Sequence, residues 1–215
     1  MEPAAKTYSV PAMIMTRLSN FFSFVFSPLL VPTYGVALAL WCSVLTFIPT
    51  LMKWRLLALV FGLTAVIPGS VVAFMKWRGM VSDMGLNNQK DRPVPYMVVC
   101  ASYLVLAWCL HAARFPSWLQ LFICGAALAT VISLVVNVWW KISAHLAAMG
   151  GLIGLMLRIV HNQVGVGNLL TMTLIVVLAA GVVGTSRVWL GRHTVGQVYA
   201  GALNGALCVY LISGL

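Results

Sequence analysis

Apolar runs long enough to cross a bilayer alternate with short polar intervals along the chain. A transmembrane helix needs about 20 consecutive apolar residues. The first such run is expected at about 29–48, after a polar tail over 1–20 and an interfacial lead-in at 18–27, with Pro28 and Pro32 interrupting it early. Further runs are expected at about 56–75, 96–112, 117–139, 144–160, 169–185 and 194–213. Pro68-Gly69 predicts a kink in the second. The fifth is rich in Gly and Ala, and Gly201 with Gly205 gives the last a small-xxx-small face; both features suit close helix packing. The pattern predicts an all-α fold: a polytopic membrane helix bundle of six to seven transmembrane helices, forming one domain over 1–215.

The polar intervals have an order of their own. The longest, 76–95, holds Asp83, Asp91, Lys76, Arg78, Lys90 and Arg92. Two spans separate it from Ser143-Ala144-His145, and two more separate that from Ser186–Gln197. Parity therefore puts three polar clusters on one side of the membrane. His111 and His161 fall on the other side and read as ordinary bundle residues.

Composition narrows the class. The chain is 62% hydrophobic and 7% charged, which excludes a soluble domain. It carries 13 Lys+Arg against 3 Asp+Glu, a formal charge of +10. The cations lie in short clusters between apolar runs, with no soluble basic face, so nucleic acid is rejected as a partner. Membrane lipids and anionic substrates fit better. Glu2, Asp83 and Asp91 are the only acids, too few for a carboxylate-rich metal site. The five cysteines lie inside apolar runs without CxxC spacing and read as small buried hydrophobes. No cleavable signal peptide is expected.

Arginine at a membrane edge is most often a topology signal or a headgroup anchor. Three convergent clusters favour an anion site instead. Arg92 and Arg187, with Lys90 or Arg192, can neutralise a phosphate; Ser143 adds a hydroxyl, and the N–H groups near Ala144 and His145 open the fifth span. His145 and His193 are the only histidines on this face. In a covalent mechanism one is the nucleophile and the other the acid that protonates the leaving oxygen.

These clusters resemble the three motifs of the type 2 phosphatidic acid phosphatase superfamily, membrane lipid phosphatases that share a helical core with vanadium haloperoxidases. The third motif, Ser-Arg-x5-His-x3-Asp, is met by Ser186, Arg187 and His193. The second, Ser-Gly-His, is met by Ser143 and His145 with Ala144 between them. The first, Lys-x6-Arg-Pro, is met by Arg92-Pro93 alone. The resemblance covers roughly 76–205. It implies the superfamily's fold, with His193 as nucleophile and His145 as general acid. It also implies that Arg92, Arg187 and Ser143 bind phosphate, helped by the Ala144 N–H.

Two positions depart from the motifs. The first-motif Lys falls at Gly85, and Lys90 or Lys141 is the cation available to replace it. The final Asp is Gln197, whose amide oxygen can orient the His193 ring but cannot stabilise imidazolium by charge. Asp83 or Asp91 is the carboxylate that the first loop offers in its place.

With seven spans the N-terminus shares the site face, which then carries Lys6, Arg17, Lys76, Arg78, Lys90, Arg92, Lys141, Arg187 and Arg192, against Lys53, Arg55, Arg114 and Arg158 opposite. That bias favours a cytoplasmic site, whereas the superfamily in bacteria usually works on the outer face, so the face stays open. The expected location is the cell (inner) membrane of a bacterium. The expected substrate is a lipid phosphate of the phosphatidic acid, phosphatidylglycerol phosphate, polyprenyl phosphate or diphosphate, or sphingoid phosphate type. No cofactor and no metal are implied, and a homodimer is left open. The alternatives are a non-catalytic lipid-phosphate binder or transporter that keeps the anion site, and a phosphotransferase.

Overall fold

A computed structural model describes residues 10–214, and Glu2 and Lys6 lie outside the described residues. Nine α-helices follow one another, with no β-strand among the described residues. They are α1 (Val10–Val25), α2 (Val31–Cys42), α3 (Thr50–Phe61), α4 (Ile67–Trp77), α5 (Pro93–Ala112), α6 (Ser117–Val136), α7 (Ala144–His161), α8 (Leu169–Trp189) and α9 (Val195–Ile212). A π-helical turn over Gly62–Val66 joins α3 and α4 into one 28-residue unit, Thr50–Trp77. That unit and each of α5 to α9 are long and apolar enough to cross a membrane, giving six spans. The protein is an integral membrane helix bundle.

The first expected run departs from its prediction. In place of a span over 29–48 there is α2, of 12 residues, followed by a 3-10 turn over Val44–Phe47. At 1.5 Å per residue α2 is about 18 Å long, short of a hydrocarbon core of about 30 Å. Its end is fixed by pairing: Val44 N–H donates to the Val164 carbonyl at 2.8 Å and Val166 N–H to the Cys42 carbonyl at 2.9 Å. These bonds tie α2 to the α7–α8 loop, at the end of the bundle away from the 76–95 interval. The expected lead-in at 18–27 is the second half of α1, a helix that begins at Val10 within the expected tail. Near Pro68 the helix continues without a break. The π-turn just ahead of it accommodates the ring and the missing N–H, so the irregularity lies one turn before the expected kink.

Helix α1 is built inside out. It buries Ser19 and Ser23 and exposes Met13, Ile14, Phe21 and Phe24. In lipid this is the favourable arrangement, since apolar side chains face the acyl phase and hydroxyls face the protein. Its main neighbour is α8, where Trp189 Nε1–H donates to Thr16 Oγ1 at 3.3 Å.

The closest helix pair is α7 with α9, and glycine allows it. A Cβ at Gly201 would stand 2.5 Å from the Ser143 carbonyl, and one at Gly154 would stand 2.6 Å from the Ala206 carbonyl. At Gly205 it would collide with the Ala147 carbonyl, and at Gly150 with the Ala202 carbonyl. The small-xxx-small face of the last helix is thus used within the chain, against α7. Gly205→Ala is expected to cost about 1–3 kcal/mol through overpacking against backbone that cannot yield. Gly181→Ala on α8, where nothing lies within 4 Å, is expected to be neutral. Thermal unfolding of the two variants in detergent checks this: equal melting temperatures would refute the close-packing account.

Candidate functional site

The three polar clusters meet at one end of the bundle. Arg92 caps the start of α5 and is 5% exposed. Its Nε–H donates to the Leu86 carbonyl at 2.9 Å, and Nη1 donates to the Ile142 carbonyl at 3.0 Å. One guanidinium therefore ties the 78–92 loop to the residue before Ser143. Leu86 takes a left-handed backbone (φ 49°), uncommon for a non-glycine residue. Two further contacts shape the loop. Asn137 Nδ2 donates to the Gln89 carbonyl at 3.0 Å, and Gln89 Nε2 returns a bond to the Asn137 carbonyl. The Asp91 carboxylate accepts from Ser82 Oγ at 2.6 Å and Ser82 N–H at 2.8 Å, and those two bonds hold its pKa below the usual carboxylate value.

Helix α7 starts on Ser143, whose N–H donates to the Gln197 carbonyl of α9 at 3.3 Å. The Ser143 hydroxyl makes no capping bond and is fully buried without a hydrogen-bond partner among the described residues. His145, in the first turn, has Nε2 at 3.1 Å from the Ser23 carbonyl of α1. A carbonyl only accepts, so Nε2 carries the proton and Nδ1 is left for other partners.

Arg187 lies in the last turn of α8 and is 6% exposed. Gly191, with φ +63°, ends that helix: its N–H donates to the Val188 carbonyl at 2.9 Å, and Arg192 N–H donates to the Arg187 carbonyl at 3.1 Å. This is the paired bonding of a Schellman stop, and it needs a residue that tolerates positive φ. The turn brings His193 back beside Arg187. Helix α9 then opens with a capping box in which Thr194 Oγ1 accepts from Gln197 N–H and Gln197 Oε1 accepts from Thr194 N–H at 3.3 Å. The same Gln197 oxygen lies 3.1 Å from His193 Nδ1. Nδ1 therefore holds the proton, and Nε2 keeps its lone pair. His193 is held well below the usual imidazole pKa, at about 4, first by burial and then by the positive charges of Arg92 and Arg187. At neutral pH it is an uncharged base.

Arg92, His145, Arg187 and His193 line one cavity of about 660 Å³, whereas Ser143 and Gln197 stand behind its wall, with Ser143 fully buried. Its polar end carries Arg92, Ala144, His145, Arg187, Arg192, His193 and Asp83. Its other walls are Val72 of α4, Tyr103 of α5, Phe122 of α6, Leu152 of α7 and Val209 of α9. A cationic mouth thus opens into an apolar chamber within the bundle.

Some expected residues fall elsewhere. Lys90 is exposed and does not line the cavity. Lys141 is half-buried, with Nζ donating to the Arg192 carbonyl at 2.9 Å. Burial and then the nearby Arg92, Arg187 and Arg192 lower its pKa, so of the two lysines it is the one beside the site. Asp91 is committed to Ser82, and Asp83 accepts from Asn87 Nδ2 at 2.8 Å; the Nδ1 partner of His193 is Gln197. Sequence reasoning missed the second role of Gln197, although Thr194-x-x-Gln197 is a legible capping box. It also missed Tyr96 and Ser23, which line the cavity from outside the three clusters.

No protein-family model matches the chain, and no curated protein or solved structure does.

A histidine whose folded pKa lies below its unfolded value of 6.5 binds fewer protons when folded between the two values. The stability His193 contributes is full above pH 6.5 and is lost as pH falls toward about 4. Melting temperature is expected to drop across that window, and to drop less in His193→Gln; identical pH profiles for both proteins would contradict the buried, neutral imidazole.

Proposed function

We propose that the protein is a membrane-embedded lipid phosphate phosphatase, working in the inner membrane of a bacterium through a phosphohistidine intermediate. The observation that carries this reading is the union of a cationic mouth, holding a neutral oriented histidine, with an apolar chamber among membrane-spanning helices. A phosphate bears charge that two buried guanidiniums can balance, and an acyl or prenyl chain suits the chamber. The reading also rests on the resemblance of the three clusters to the type 2 phosphatidic acid phosphatases.

In this mechanism His193 Nε2 attacks phosphorus while Gln197 retains the Nδ1 proton. The bond from phosphorus to the lipid oxygen breaks as the P–N bond forms. Arg92, Arg187 and Ser143 bind the equatorial oxygens, where charge builds in the transition state. His145, anchored through Nε2–H to the Ser23 carbonyl, relays through its Nδ1 lone pair a proton that the phosphate monoanion brings with it, and so protonates the leaving lipid oxygen. It then takes one from the water that cleaves the P–N bond, releasing inorganic phosphate and restoring His193.

Gln197 sets the limits of this chemistry. Its oxygen fixes the His193 tautomer but supplies no negative charge to the imidazolium-like phosphohistidine. Slow turnover follows. Phosphate release from phosphatidic acid, phosphatidylglycerol phosphate and polyprenyl diphosphate, by detergent-purified protein without added metal, tests the reading. His193→Ala is expected to abolish release, and Gln197→Asp to raise kcat about tenfold, as one charge-assisted bond in place of a neutral one allows. No release from any lipid, with lipid-phosphate binding intact, would replace the enzyme by a non-catalytic binder or transporter.

A further inference from the structure

The cavity contains more polar atoms seeking a partner than the three clusters account for. Besides the Asn137 Oδ1 acceptor, four buried atoms without a hydrogen-bond partner among the described residues belong to residues at this end of the bundle: Ser143 Oγ, Arg187 Nε, Ser23 Oγ and Tyr96 Oη. The first two belong to the clusters; the last two do not. Ser23 and Tyr96 both line the cavity. Tyr96 stands one turn after Arg92 on α5, its N–H bonded to the Arg92 carbonyl at 3.0 Å, and its hydroxyl lies close to the Arg92 guanidinium. Ser23 is 8% exposed and belongs to the residue whose carbonyl holds His145. All four atoms can donate a hydrogen bond, and buried donors left unpaired are costly. A set of convergent donors beside guanidiniums calls for an acceptor rich in oxygens and negative charge.

We propose that Tyr96 and Ser23 are substrate-binding residues whose hydroxyls donate to the phosphate held between Arg92, Arg187 and His193. The inference rests on the lipid-phosphate reading and adds to it two elements of the chain: the first turn of α5, and α1, which lies outside the motif-bearing core. Tyr96 approaches the phosphate from the Arg92 side and Ser23 from the His145 side. Ser23 thereby joins substrate binding to the anchoring of the proposed acid on a single turn of α1. No covalent step is added; both residues position the substrate.

A hydroxyl that serves the ligand can be told from one that serves the fold. Removing an unpartnered buried hydroxyl relieves an unsatisfied group, so it does not lower the stability of the unliganded protein. Tyr96→Phe and Ser23→Ala delete only that atom. The experiment is a thermal-shift titration of the detergent-purified full chain with inorganic phosphate, and separately with dioleoyl phosphatidic acid in mixed micelles. Both variants are expected to melt at or slightly above the wild-type temperature without ligand. Each is then expected to need about tenfold more ligand for the same shift, as loss of one hydrogen bond to a charged partner implies. Wild-type ligand response in both variants would overturn the assignment while leaving the phosphate site standing. A lowered melting temperature with unchanged ligand response would assign the hydroxyls to the fold and also overturn it. A wild-type protein that responds to neither ligand would overturn the anion site itself, and this inference with it.

Discussion

The distance between α7 and α9 sets the geometry of everything at the mouth of this bundle. His145 rides on the first turn of α7, and His193 sits two residues ahead of α9. Glycines at 150, 154, 201 and 205 bring the two backbones together, and the Ser143 N–H then reaches the Gln197 carbonyl across the gap. Main chain against main chain is a stiff contact, with no side chain to change rotamer and absorb an error. That stiffness fixes the separation of the two imidazoles, and the proposed chemistry would depend on it, because small misplacements of reacting groups are costly.

Electrostatics gives the mouth its second character. Arg92, Arg187 and Arg192 gather at the edge of a low-dielectric interior, with Asp83 the one carboxylate on the cavity wall among the described residues. The protein satisfies part of this charge with its own carbonyls: those of Leu86 and Ile142 hold Arg92, and that of Arg192 holds Lys141. Arg187 Nε has no partner among the described residues. The same positive field, added to burial, keeps His193 unprotonated. The cationic mouth and the neutral base beside it therefore arise from one arrangement of charge.

Much of this was legible in the sequence because the bilayer imposes strong rules. Long apolar runs gave five of the spans nearly within their limits, and parity alone brought Arg92, His145 and His193 to one end. What escaped has physical causes. Residues 29–48 are apolar enough to cross, but pairing of Cys42 and Val44 with the α7–α8 loop, a tertiary event, stops α2 after 12 residues. Tyr96 looks like any tyrosine at a membrane boundary, and only the packing around it buries its hydroxyl beside the cavity. Ser23 lies in a stretch that reads as an interfacial lead, and its place depends on α1 burying its polar stripe. Gln197 was read as a missing carboxylate, because a residue type shows one role at a time whereas its oxygen in the fold has two partners.

The bond between His145 and the Ser23 carbonyl joins residues 122 positions apart. During synthesis α1 leaves the ribosome long before α7 exists. Until then its Ser19 and Ser23 have no protein to face, and a helix with a hydroxyl stripe is poorly suited to the acyl phase alone. Helix α1 gains partners for that stripe only when α7 and α8, the fourth and fifth spans, are in place. Packing of α1 is thus a late event in assembly, although α1 is made early.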